Sequence, residues 1–265
     1  MNLASHLREL DEQGFTLLPG FVDRETTAAI RAFIDETLRA GYTPLSDRGS
    51  TRFHYRICHP IEAPIAAQPA SDRRILDIAA RCLRAENLRL RQQMFMLTLP
   101  CGDPPPSVPD GWHIDIPFLP TEWQATPSQI FIQFFYYCSP VRPGGAATMA
   151  VPGSHKLTYA AAADLCRTEE GRRAFTRDPA GLASVDTSQG IEVLAEEGDV
   201  LIFNPMLVHS GSKNVTQQPR YAFHCSFHDH SSDRVRRLPA PVFYDTFPAS
   251  MEAAMPADLR PLLER

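Results

Sequence analysis

Long apolar runs are missing from this chain: nothing approaches the roughly 18 consecutive apolar residues of a membrane span. The opening residues, MNLASHLRELDEQ, place Arg8, Glu9, Asp11 and Glu12 where a secretory signal needs an uninterrupted apolar core. Cysteine is scarce, six in 265 residues, and Cys58, Cys82, Cys101, Cys138, Cys166 and Cys225 form no Cys-x-x-Cys pair. That scatter argues against a structural zinc site, and with no secretory signal the cysteines read as reduced thiols. A strong charge of one sign is also lacking. The formal net charge is −5, which provides no electrostatic reason to expect nucleic acid or an anionic membrane as partner. Short basic clusters at Arg73-Arg74, Arg172-Arg173 and Arg234-Val235-Arg236-Arg237 read as solvated surface. No peroxisomal tripeptide closes the chain, which ends Leu262-Leu263-Glu264-Arg265. These absences predict a cytoplasmic protein that engages neither nucleic acid nor membrane; they leave its oligomeric state open.

What is present is an ordinary globular composition, 43% hydrophobic and 22% charged. Leu3, Leu7 and Leu10 recur at helical spacing over Leu3–Gln13, with Gly14 as the stop. Phe15–Leu18 is a short apolar run ending at the turn Pro19-Gly20. Asp23 is an N-cap for a helix over Arg24–Ala40, and Ser71 opens another to about Ala85. From about Leu88 the texture changes to strands. Leu88–Leu99, Ile130–Cys138, Thr148–Val151, Ile191–Leu194, Val200–Phe203 and Tyr221–Phe227 are strand-like runs, with a helical insert at about Tyr159–Phe175. Pro100–Gly111 holds five prolines in twelve residues and is irregular backbone. The pattern predicts one domain over 1–265: helices over about 1–87, a strand-built core over about 88–230, and an extension over 231–265.

Three features carry chemistry. Gly111-Trp112-His113-Ile114-Asp115 contains a His-x-Asp, and on extended backbone residues two apart project to one face, so His113 and Asp115 can grip one ion. With nine histidines in the chain, such a triplet is weak evidence alone. His209 ends the apolar run Ile202–Val208; a histidine there is more often a core residue. Two imidazoles and a carboxylate form the facial triad of mononuclear Fe(II), although zinc accepts the same ligands. Arg220 follows eleven residues beyond His209. On a strand beside that of His209, an inward guanidinium would clamp a carboxylate with two parallel hydrogen bonds. The joint occurrence is far less expected by accident than any one part.

With Pro143-Gly144-Gly145, Val151-Pro152-Gly153-Ser154-His155 and Asn214 between and beyond the ligand segments, the chain resembles the phytanoyl-CoA dioxygenase family of Fe(II)/2-oxoglutarate oxygenases. The resemblance runs from about Phe15 to about His228. It implies a mainly β fold with flanking helices, a double-stranded β-helix (a cupin-like jelly-roll). It implies iron held by His113, Asp115 and His209, with Arg220 on the distal carboxylate of 2-oxoglutarate, and O2 as the other cosubstrate. The family often has a hydroxyl residue two positions past the distal histidine; here Gly211 stands there, so Ser210 on one side or Thr148 would supply that contact. Gln93 is a further cosubstrate contact, with Gln92 on the opposite face as the alternative.

The implied activity is a dioxygenase that hydroxylates, or otherwise oxidises a C–H bond of, a small-molecule substrate, releasing succinate and CO2. Asp115 favours hydroxylation, because related halogenases carry a small residue there to admit chloride. The alternative is a non-oxidative cupin-like metal protein, an isomerase, hydrolase or binding module. Among other residues, His228-Asp229-His230 reads as a solvated strand end. His155 reads as structural and Trp112 as core, while His224 fits pocket or core equally. Ser46–Pro60, with Arg52, His54, Tyr55 and Arg56, reads as a loop near the site or an ordinary surface loop. Which face of Phe131–Tyr137 looks inward is not decided by alternation.

Overall fold

The computed structural model describes residues 2–41, 53–58, 61–101, 111–115, 131–230 and 247–264. The chain starts as expected: helix α1 spans Leu3–Gln13 and strand β1 spans Phe15–Leu18. Gly14 caps α1 at φ 83°, donating its N–H to the Leu10 carbonyl. A side chain there would be strained by that φ and would also meet His155, whose Nδ1 lies 2.6 Å from the Cβ position. Helix α2 covers Arg24–Arg39, with the Asp23 carboxylate accepting from the Thr26 N–H at 2.7 Å. Strand β2, His54–Cys58, follows; then come the short helix α3, Ala67–Ala70, and helix α4, Arg73–Leu83. Asp72, not Ser71, caps α4, because Ser71 still closes the turn of α3.

The remaining strands are β3 (Leu88–Thr98), β4 (Phe131–Tyr137), β5 (Thr148–Ala150), β6 (Ile191–Val193), β7 (Val200–Phe203), β8 (His209–Ser210) and β9 (Arg220–Asp229). The helical insert is broken into α5 (Ser154–Leu165), α6 (Glu169–Arg177) and α7 (Pro179–Leu182). Asp178-Pro179 ends one helix and starts the next, since proline fits a first helical position but not an interior one.

The strands form two sheets, one ordered β1-β7-β4-β9-β3-β2 and the other β6-β5-β8. Every pairing between these strands is antiparallel. His113 extends the smaller sheet by bridging to His209. The architecture is the double-stranded β-helix with flanking helices. Alternation sorts the larger sheet's residues cleanly. Phe95, Ile132, Phe134, Ile202, Phe223 and Phe227 join Ile30, Ile34, Ile75 and Ile78 of α2 and α4 in one apolar core. Met96, Phe135, Leu201, Phe203 and Ala222 face the interior between the sheets. β4 is buried along its whole length, which is why its alternation alone cannot assign a face. Met251, Met255 and Leu262 of the C-terminal region lie in the same core as α2 and α4.

Several expectations need correction. His54–Cys58 is a strand rather than a loop; it is the sheet edge, paired with β3, and only Ile57 is buried, so it lacks the alternation of a core strand. Ser46–Arg52, His59, Pro60 and Arg234–Arg237 lie outside the described residues. His228 is no solvated strand end: it is 5% exposed, within a β9 that runs two residues past the apolar run. Arg172 is likewise buried, donating to the Cys166 carbonyl at 3.1 Å. Arg220 and His209 are not on neighbouring strands; β9 belongs to the larger sheet and β8 to the smaller. The turn between them crosses from one sheet to the other, so the two residues approach the interior from opposite walls.

Candidate metal centre

The loop before His209 is fixed by the Pro-Gly-Ser-His turn. Ser154 Oγ accepts from the Val208 N–H at 2.9 Å, and Thr158 Oγ1 donates to the Met206 carbonyl at 2.6 Å. Asn204 Oδ1 accepts from the Met206 N–H at 2.9 Å. His155 donates from Nε2 to the Asp11 carbonyl at 3.1 Å, which ties α1 to the same turn. The Gly14-Phe15 and Pro-Gly-Ser-His motifs are thus parts of one contact, whose effect is to hold the segment that delivers His209. His155 is structural, as expected.

His113 and His209 exchange both backbone hydrogen bonds, at 2.9 and 3.0 Å, and the Asp115 N–H donates to the Pro205 carbonyl at 2.8 Å. These bonds set His113 and Asp115 on one face beside His209. The three side chains bring one ligand atom each to within 4.8 Å of one another, the one such cluster among the described residues. His113 Nδ1 donates to the Gly111 carbonyl and His209 Nδ1 to the Leu207 carbonyl, both at 2.9 Å. With Nδ1 protonated, each neutral ring presents a bare Nε2. Those atoms lie 3.7 Å and 3.3 Å from the Asp115 carboxylate. Trp112, next to His113, turns the other way and packs against the cluster around Phe175, Met206 and Val208.

Burial works against charge on Asp115, but His209 and His113 outweigh it and hold the carboxyl well below the usual range. The same attraction raises His209 against its own burial penalty. His113 is lowered by burial and by His209. A concentrated carboxylate charge between two imidazoles whose second nitrogens are tied down is a donor set suited to a divalent cation.

Asp115 has a further partner that its sequence neighbourhood does not reveal. Gln133 Nε2 donates to Asp115 Oδ2 at 2.7 Å, and Gln133 Oε1 accepts from His224 Nε2 at 2.9 Å. His224 is 5% exposed, and burial brings it down to about 4, so it is neutral and its Nε2 carries the proton. His224 and Gln133 both line the cavity, which encloses about 870 Å³.

At one end of this cavity stands Arg220, 7% exposed. Its guanidinium donates to the Ala146 carbonyl at 2.6 Å and to Thr98 Oγ1 at 3.0 Å. His54 Nδ1 lies 2.7 Å from the same Thr98 oxygen, and Arg56 Nε donates to His54 Nε2 at 2.9 Å. Because Nε2 accepts, Nδ1 carries the proton. Thr98 Oγ1 therefore accepts two hydrogen bonds, and its own O–H is left as a donor beside Arg220. Burial and the charges of Arg220 and Arg56 hold His54 down to about 3, consistent with a neutral ring. Asn214 is buried and structural, donating to the Thr98 and Gln218 carbonyls at 3.2 and 2.7 Å.

The other expected contacts divide. Thr148 lines the cavity and accepts from the Tyr137 hydroxyl at 3.3 Å. Ser210 also lines it, but its hydroxyl is occupied by backbone, accepting from the Gly111 N–H at 3.1 Å and donating to the Gly211 carbonyl at 2.8 Å. Gln93 is a correction. It lies on the helix side of β3, fully buried, with its amide donating to the Ala66 carbonyl at 2.6 Å, while Gln92 lines the cavity. Thr98 and Gln133 were not singled out as site residues; Gln133 is the one amide in the otherwise apolar and aromatic buried strand β4, and Thr98 follows the apolar run Met94–Leu97 at the end of β3, the one signal available for each.

Comparisons with known proteins bear on the family and the fold. A family model described as phytanoyl-CoA dioxygenase (PhyH) matches residues 10–222. No curated protein matches the chain. Among solved structures, the epimerase SnoN from nogalamycin biosynthesis, in complex with Fe3+, alpha ketoglutarate and nogalamycin RO, is 22% identical with a TM-score of 0.64; the match covers 86% of this chain and 83% of that one. EctD from S. alaskensis, with 2-oxoglutarate and 5-hydroxyectoine, is 18% identical with a TM-score of 0.65, over 94% and 86% of the two chains. HygX from Streptomyces hygroscopicus, with nickel and 2-oxoglutarate bound, is 18% identical with a TM-score of 0.59, over 85% and 87%. At these identities the likeness bears on the fold.

Proposed function

Because the chain belongs to the phytanoyl-CoA dioxygenase family of Fe(II)/2-oxoglutarate-dependent oxygenases, we propose that it hydroxylates a C–H bond of a small molecule. The observation that carries this reading is the pairing of two bare Nε2 atoms and the Asp115 carboxylate with Arg220 across one cavity. His113, Asp115 and His209 hold the iron, and Arg220 with the Thr98 hydroxyl holds the distal carboxylate of 2-oxoglutarate. Thr148 is a further contact from the facing sheet. Iron, 2-oxoglutarate and O2 together supply the oxidant, with succinate and CO2 released.

The chain's own contribution is positioning and exclusion. Gln133 donates to Oδ2 of Asp115 and so fixes the orientation of the carboxylate that would bind the metal. Arg220 makes a charge-assisted grip that a neutral side chain cannot reproduce. Met94, Met96, Phe135 and Phe203 form apolar walls that limit water beside the reacting carbon. A carboxylate at position 115 leaves no room for a halide at that ligand site, which favours hydroxylation. The size of the cavity supports a small-molecule substrate. SnoN and the carbocyclase SnoK have other outcomes in their descriptions, so the fate of the C–H bond is what the experiment must read.

The test has two stages. Anaerobic 2-oxoglutarate added to the Fe(II) protein should produce a visible charge-transfer band, and Arg220→Met should require far more 2-oxoglutarate to do so. Under 18O2, substrate turnover should place label in both succinate and product. No band with 2-oxoglutarate would sink the cosubstrate reading. Unlabelled product alongside labelled succinate would reassign the outcome from hydroxylation to another oxidation.

A further inference from the structure

The hydrogen bonds that lead away from Asp115 run in one direction. A carboxylate only accepts, so the Gln133 amide turns Nε2 toward Asp115 and Oε1 toward His224. An amide oxygen also only accepts, so His224 Nε2 carries the proton. Burial holds the His224 ring down to about 4, and it is neutral. Its Nδ1 is therefore a bare lone pair, and the glutamine locks that tautomer.

That lone pair is buried and has no hydrogen-bond partner. Native structures seldom leave a buried acceptor unsatisfied unless the group has a role. The residues beside it cannot supply a donor. His224 is opposite Met94 of β3 and Phe135 of β4, whose side chains have none to give, and all three line the cavity. Ser226, next on the same face of β9, is fully buried and its hydroxyl has no partner either. It is opposite Gln92 on β3 and Gln133 on β4. Two unsatisfied polar side chains thus stand about 7 Å apart along one strand. Arg220 is four residues from His224, about 13 Å along β9, so this stretch lies away from the cosubstrate clamp. One side-chain amide, that of Gln133, joins it to the carboxylate of the metal centre.

Resting on the reading of the site as an iron and 2-oxoglutarate centre, we propose that His224 recognises the primary substrate, its Nδ1 accepting a hydrogen bond from a hydroxyl or amine N–H of that molecule. The substrate is thus an alcohol or an amine, and not a plain hydrocarbon chain, an ether or an ester. A site built to bond an O–H or N–H rejects the analogue that lacks it, because the acceptor is then left unpaired. A donor at Nδ1 also strengthens the Nε2–H bond to Gln133 and, through the amide, the bond to Asp115, since linked hydrogen bonds polarise one another. Arrival of the substrate is in this way felt at a ligand of the metal.

The test uses the full chain, 15N-labelled at histidine and loaded with diamagnetic Zn(II) and saturating 2-oxoglutarate. Its imidazole nitrogens are followed by NMR during titration with ethanol, with ethylammonium and with acetonitrile, three small probes of which acetonitrile has no donor. His224 is assigned by the signals lost in His224→Gln or His224→Phe. Before titration its Nδ1 should resonate as an unprotonated, unbonded nitrogen. At least one donor should then move it saturably toward the hydrogen-bonded position, with an apparent affinity about fivefold or more above that of acetonitrile, the value of one neutral hydrogen bond. Which donor does so separates an alcohol from an amine substrate. An Nδ1 that is protonated or already hydrogen-bonded before titration, or one that neither donor moves more than acetonitrile does, overturns the proposal alone. Failure of the wild-type chain to bind Zn(II) and 2-oxoglutarate overturns the underlying site reading and the proposal together.

Discussion

On β4 and β9, Ile132, Phe134, Phe223 and Phe227 look toward the helices, while Gln133, Phe135, Arg220 and His224 look into the cavity. The two sets alternate on the same strands, yet the first is held in place by apolar burial and the second by hydrogen bonds. Helix-side residues contribute stability that does not depend on direction; each fully buried large side chain is worth about 1.5–3 kcal/mol. Cavity-side residues contribute direction: Gln133 is fixed between Asp115 and His224, and Arg220 between Ala146 and Thr98. A change on one face should therefore leave the property of the other nearly untouched.

The strongest break of this separation is His209→Ala. It should abolish high-affinity metal binding and turnover, read by calorimetry and succinate formation, with a melting temperature close to that of the metal-free wild type. Retained metal affinity would remove His209 from the ligand set. Phe134→Ala, on the other face, should cost about 3–5 kcal/mol in urea unfolding, while the surviving folded protein binds metal normally. If metal affinity fell in proportion, the two faces would not be separable.

Gln133→Leu is a finer cut, since it keeps the shape and removes the amide that holds Asp115. Metal affinity should fall by about 10–100-fold, with little change in unfolding free energy. His224 would lose its acceptor in the same variant, so the sharper comparison is Gln133→Glu. That change retains the acceptor for His224 and places a second carboxylate against Asp115.

The last comparison concerns acid. Burial first, then the charge of Arg91, holds His228 down to about 3, so it is neutral in the folded chain. Its unfolded value is ~6.5, so between these values the unfolded chain binds the extra proton. Stability from this group is complete above about pH 6.5 and is lost as pH falls toward 3, at up to ~1.4 kcal/mol per pH unit. His228→Gln should flatten that part of a melting-temperature profile between pH 6.5 and 4. An unchanged slope would show that His228 does not titrate on unfolding.

Local signals were legible where the governing interaction is local. Gly14 ends α1, Asp23 caps α2, and the apolar runs Phe15–Leu18 and Val200–Phe203 are strands at the expected limits. His113 and Asp115 share a face because extended backbone alternates, and their backbone bonds to His209 and Pro205 hold that geometry. The misjudged features depend on partners far away in the chain. Gln93 and Gln92 are indistinguishable by alternation until it is known which side of β3 carries helices. His54–Cys58 has an edge strand's mixed character, and pairing with β3 is what makes it a strand. His228 looked solvated because polar residues follow it, but β4 and β3 flank β9 on both sides.

The sequence alone therefore determined the family, the three residues that cluster as candidate metal ligands and the presence of an arginine beyond them, because these rest on residue type, order and short spacing. The tertiary structure decided that Arg220 approaches from the sheet opposite His209, that Gln133 orients Asp115, and that His224 bonds to Gln133 from the neighbouring strand. Each of those depends on strand pairing and on which face of a strand meets the cavity. Pairing is set by burying one face of the whole sheet at once, so no single segment encodes it.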